Sequence, residues 1–263
     1  MLALDEPCPR AQRALLDGTP VAALGILVAA WVAAIVTLAE PAARVVGLAA
    51  AHGALLGTAV AWTRTAGRSG RWAPVEAALV LAAAAACASL HPWGMLAYVA
   101  VPAWFVWRRG AGRRRRGWRT VASVAAGAAF GLGLGAHLLV NAALTLDYGV
   151  RTGPATELAA WWAYDLGANV LAAEVFFRGA LFERAYRKWS FAAATAIATG
   201  ATLVRYLVDP LLPHSLGIAA GAVFYIALLA AGNCWLVART GSLAPSLAAA
   251  FVFFGTYRLL GPR

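Results

Sequence analysis

Residues 172–189 read "AAEVFFRGALFERAYRKW". Every local criterion makes this stretch a helix, and most of it is apolar enough for the inside of a membrane. Yet Glu174 and Arg178 sit in it four residues apart, on one helix face where they can pair. An acid and a base inside an apolar helix are costly, and such groups normally face a bundle interior and mark function.

The rest of the chain supports a membrane setting. Of 263 residues 62% are hydrophobic and 13% charged, and the mean hydropathy is +0.71. Soluble domains carry about 25% charged residues. The apolar runs are long and continuous, which favours helices over the alternating segments of a β-barrel. A spanning helix needs about 20 apolar residues. The runs fall at 20–39, 43–62, 75–90, 94–107, 120–145, 157–182, 190–208, 215–238 and 244–260. The expected fold is all-α, a polytopic transmembrane helix bundle of about nine segments. A tight turn at "HPWG" joins the third and fourth runs or makes them one re-entrant pair, so the count is eight to nine.

The net charge is +11, but the basic residues cluster in short gaps between apolar runs. Sixteen of the 22 Lys and Arg fall on one side, four on the other, and Arg178 and Arg205 lie within runs. This asymmetry is the positive-inside pattern, and it predicts a cytoplasmic N-terminus. It also argues against nucleic acid as a partner, since no nucleic-acid motif accompanies the charge. The segment "RRGAGRRRRGWR" (108–119) is the clearest boundary, an anchor beside anionic lipid. The expected organisation is a cytoplasmic tail at 1–19, N-terminal helices with the Arg-rich loop at 20–119, and a core at 120–263. No cleavable signal peptide is expected, because the first apolar run is too long for one. The Ala- and Arg-rich composition points, through codon usage, to a GC-rich bacterial genome and so to the bacterial inner membrane.

Within the apolar runs the ionisable and amide groups are few. Asp165 and Asn169 share a face of the helix that carries Glu174. Nine residues separate Asp165 from Glu174, which in a regular α-helix points them in opposite directions. Arg205 with Asp209, and His137 with Asn141, form further i, i+4 pairs, and Glu183 with Arg187 pairs at the edge. Position alone leaves Glu174–Arg178 two roles: a structural ion pair, or an acid that activates water or binds a cation. The four histidines (His52, His91, His137 and His214) are scattered, and neither they nor the cysteines show ligand spacing. No metal and no cofactor are therefore expected. Cys8, Cys87 and Cys234 show no paired spacing and read as small buried hydrophobes. The small residues of "AAGAAFGLGLGAH" (125–137) allow close helix approach.

"EVFFRGALFERAYRKW" resembles the first signature of the CPBP family (CAAX protease and bacteriocin-processing, or Abi) of intramembrane glutamic-type proteases. That signature is two glutamates, three residues, then arginine, glycine and an apolar pair. Glu174, Arg178, Gly179, Leu181 and Phe182 match it. "ARTGSLAPSLAAAFVFFG" resembles the closing signature through Thr240, Gly241, Ser242, Leu243 and Pro245. The resemblance covers about residues 155–258. It implies a membrane bundle around a peptidase site, with Glu174 and Arg178 as motif residues. The first glutamate of the pair, the expected water activator, is Ala173 here. The second signature's histidine is missing. The third's histidine falls at Ala250, and its asparagine at Phe253 or Phe254.

The resemblance thus implies a non-catalytic or weakly active relative that binds a membrane-embedded peptide or lipid-like tail, with membrane lipids around it. The alternative is an active peptidase using Glu174 with relocated partners, drawn from His137, Asn141, Asp209 and Asn233. A small-solute transporter is a second alternative. It would need interrupted helices meeting at mid-membrane, which Gly167 and Gly179 permit.

Overall fold

The structure, a computed structural model, describes residues 118–151, 153–207 and 216–262, with isolated positions at 33, 37, 39, 83, 86, 87 and 97. The first four apolar runs, Asp209 and His214 lie outside the described residues. The last five runs are all helical, as expected. Helix α1 is Trp118–Thr145. A continuous helical rod then runs from Ala155 to Lys188, followed by α5 (Phe191–Leu207), α6 (Leu216–Thr240) and α7 (Ala244–Tyr257). By length and hydropathy, Val121–Thr145 and Ala219–Thr240 suffice to cross a bilayer; Phe191–Leu207 and Ala244–Tyr257 are shorter apolar helices.

Local chemistry sets the breaks. Asp147 takes positive φ (53°) after α1, a conformation that Asp tolerates better than most residues. The Ser190 hydroxyl oxygen accepts the Ala193 N–H at 3.3 Å and so caps the start of α5. Between α6 and α7, Gly241 adopts φ 62° and donates its N–H to Val237 O at 2.8 Å, the left-handed stop that glycine makes cheaply. Ser242 Oγ then accepts the Ala244 N–H at 3.2 Å, and Pro245 sits in the first turn of α7.

Two features differ from the sequence expectation. The last apolar run ends at Tyr257 rather than 260. The chain then forms β2 (Leu260–Pro262), antiparallel to β1 (Tyr148–Val150), with Gly149 opposite Gly261. Three-residue strands leave no period-two pattern to read. This ribbon ties the end of α1 to the end of α7, so the two helices run parallel. Gly127 lies against Pro245, Gly131 against Ala249 and Gly135 against Thr256. A β-carbon on Gly131 would stand 2.2 Å from Ala249 O. Here the small-residue expectation for 125–137 holds: glycine lets backbone touch backbone.

The second difference lies in the rod Ala155–Lys188. It comprises α2 (Ala155–Asp165), a π-helical stretch Leu166–Ala172, α3 (Ala173–Phe176), a second π stretch Phe177–Phe182 and α4 (Glu183–Lys188). A π turn hydrogen-bonds five residues back and rotates less per residue, and such turns gather at functional sites. The regular-helix phase between Asp165 and Glu174 therefore fails. Both carboxylates are buried, and Asn169, the partner of Asp165, lines the same small cavity as Glu174 and Arg178.

Candidate functional site: two buried polar networks

The rod, α5, α6 and α7 enclose two groups of polar side chains within an apolar core. In the first, Arg178 Nη1 stands 3.4 Å from Glu174 Oε1. The same nitrogen donates to Thr202 Oγ1 at 3.0 Å, and the Thr202 hydroxyl donates in turn to Ala198 O at 2.7 Å. Arg178 is 1% exposed and Glu174 3%, so the pair is almost wholly buried. Asn233 from α6 and Ser246 from α7 face the Glu174 carboxylate. Asn233 also donates to Ser246 O at 3.4 Å, and the Ser246 hydroxyl donates to Leu243 O at 3.0 Å. Among the described residues, Glu174 Oε2, Arg178 Nε and Asn233 Oδ1 are buried without a hydrogen-bond partner. Beside them lies a cavity of about 20 Å³, walled by Asn169, Ala173, Arg205, Tyr206 and Phe254 among others. That is room for a single water.

The second network lies nearer the ribbon. Asn169 Nδ2 donates to Asp165 Oδ1 at 2.6 Å, and Arg205 donates to Asn169 Oδ1. Arg258 closes on Asp165 with Nε on Oδ2 and Nη2 on Oδ1, the latter at 2.9 Å. Its guanidinium also lies 4.6 Å from the Trp161 ring centre, close enough for a cation–π contact. In the sequence Arg258 counted only as one of the four basic residues on the minority side. An aspartate inside an apolar run must find a cation, and that was the signal for it.

The proposed relocated partners separate into three cases. Asn233 does meet Glu174. His137 and Asn141 serve Tyr225 instead: His137 Nδ1 lies 2.7 Å from Tyr225 Oη, and Asn141 lies beside the same phenol. Asp209 lies outside the described residues. Among the described residues no group of three His, Cys, Asp or Glu could hold a metal ion.

Residues 154–253 match the family model described as type II CAAX prenyl endopeptidase Rce1-like. The match falls on the helical core and agrees with the family resemblance read from the sequence. No curated protein and no solved structure matches the chain. The matched segment contains both networks except Arg258. It also contains the positions at which the family signatures depart, apart from Phe254, one residue beyond it. Ala173 and Phe254 line the small cavity beside Glu174, while Ala250 and Phe253 are buried in the apolar core with Leu229, Ile226 and Tyr225. The inward face of α5 carries Thr202 and Tyr206, four residues apart. Sequence reasoning passed over both. The i, i+4 spacing of two hydrogen-bonding residues on an apolar helix would have found them.

Proposed function

We propose that this CAAX-protease-family membrane protein is non-catalytic, and holds a membrane-embedded peptide or lipid-like tail without cutting it. One observation carries the reading. The Glu174 carboxylate has one oxygen against Arg178 and shares a one-water cavity with Ala173 and Phe254. Hydrolysis needs a base that holds water, a partner for the proton and donors for the developing oxyanion. Alanine and phenylalanine supply none of these, and a cavity of that size admits no scissile peptide bond beside the water. The Glu174–Arg178 pair then serves architecture, because burying either charge alone would be worse than burying both.

A second reading draws on the contact between Glu174 and Asn233: an active peptidase in which Asn233 orients a water on the carboxylate. Cleavage decides between the two. The full chain, reconstituted in lipid vesicles, is incubated with a transmembrane peptide that ends in a lipidated cysteine motif, and products are read by mass spectrometry. No product is expected from the native chain. A product that disappears in a folded Glu174→Gln variant would overturn the non-catalytic reading. For orientation, the end of the bundle that holds Lys188, Arg239 and the Gly241 turn is read as cytoplasmic, by the positive-inside bias.

A further inference from the structure

A second and much larger cavity, of about 290 Å³, opens at the ribbon end of the bundle. Its size lies near the lower end of small-molecule sites. One stretch of wall is apolar, built from Leu138 and Ala142 of α1, Ala222 and Ile226 of α6 and Phe253 of α7. Arg151 and Arg258 stand in its lining. Asp165 already answers the charge of Arg258. Arg151, on the ribbon, is exposed and makes no ion pair among the described residues. Only its backbone N–H is engaged, by Leu259 O.

We propose that this cavity binds a single-chain amphiphile with an anionic headgroup, the head at Arg151 and the chain along the apolar wall. The proposal rests on the reading above, that the domain keeps a ligand cavity, and selects the lipid-like tail over the peptide. A peptide brings an N–H and a C=O per residue, each of which needs a partner. Three of the four phenols in the lining are already engaged, Tyr225 with His137 and Tyr206 with Tyr257, and Tyr148 alone would not satisfy a peptide backbone. An acyl chain asks for no hydrogen bonds. The volume suits one chain rather than two, and a cation without an acidic partner among the described residues, at the mouth of an apolar cavity, selects an anionic head.

The test uses the full chain in phosphatidylcholine nanodiscs and a fluorescent polyene fatty acid, excited by energy transfer from tryptophan, with empty discs subtracted. The methyl ester of the same acid is the neutral control. The acid is expected to bind saturably, and the ester at least about tenfold more weakly; Arg151→Ala should bring the acid down to the ester's level. Gly221 lines the cavity, and a β-carbon there meets nothing within 4 Å. Gly221→Phe should fill the space and abolish saturable binding while the melting curve is kept. Ala222→Leu repeats the test from the neighbouring position should Gly221→Phe melt early. Displacement by palmitate alone assigns a carboxylate head, and displacement also by lysophosphatidic acid assigns any small anion. Equal binding of acid and ester overturns the proposal. So does an unchanged affinity in Arg151→Ala or in the folded cavity-filling variants, or displacement by neither competitor. Binding is read without cleavage, so a product in the peptidase assay would sink the non-catalytic reading and leave this one standing.

Discussion

Arg258 holds Asp165 across 93 residues of chain, with two guanidinium nitrogens on the two carboxylate oxygens. The contact joins the end of α7 to the last residue of α2, just before the first π stretch, and fixes where the rod changes pitch. Removing one partner leaves an unanswered charge in an apolar interior. Arg258→Ala should therefore destabilise the protein by about 3–5 kcal/mol, while Asp165→Asn with Arg258→Met should cost much less. Thermal unfolding in detergent, followed by size-exclusion fluorescence, checks the order. Equal losses would mean that the pair contributes packing rather than charge compensation.

The same argument applies to Glu174 and Arg178, with a sharper contrast because both are almost wholly buried. Arg178→Ala strips Glu174 of its cation and Thr202 of its donor. It should cost about 3–5 kcal/mol, more than Glu174→Leu combined with Arg178→Met. The yield of monodisperse protein after extraction gives the comparison. If the two variants fare alike, the architectural role assigned to the pair is wrong.

Much of this was legible before any coordinates. The five helices from 118 onward follow from runs of apolar residues, and the Glu174–Arg178 pair from i, i+4 spacing. What stayed hidden has physical causes. Two π stretches change the rotation per residue, and no residue between 166 and 182 announces them. The counting that set Asp165 opposite Glu174 assumed a uniform helix. The Asn233–Glu174 contact joins α6 to the rod, and a side chain's facing on a helix that is apolar all round has no amphipathic signal to fix it. Arg258 read only as one of the four minority-side charges because its partner is distant in sequence.

The glycines of α1 separate contact from propensity. Gly131→Ala would drive a methyl into the backbone of α7 at Ala249, and should destabilise by about 1–3 kcal/mol, the usual cost of overpacking. Gly133 has nothing within 4 Å of its β-carbon site. Gly133→Ala should be neutral, or stabilising by less than about 1 kcal/mol through helix propensity. Melting temperatures of the two single variants suffice, and the prediction fails if both shift the same way.

Gly241 is the last discriminating position, because its cost is conformational and not steric. It sits between α6 and α7 at φ 62°, where an L-residue pays roughly 1–2 kcal/mol for its β-carbon. The turn it makes sets the register of Ser246 against Asn233, and both face Glu174. Gly241→Ala should lower stability by about that amount, and Gly241→Asn by less, since asparagine tolerates the left-handed region. Gly241→Ala and Gly241→Asn, compared by chemical denaturation in mixed micelles, give the answer. An alanine variant as stable as the native chain would mean that the α6–α7 turn can adopt another form, and that the placement of Ser246 beside Glu174 does not depend on it.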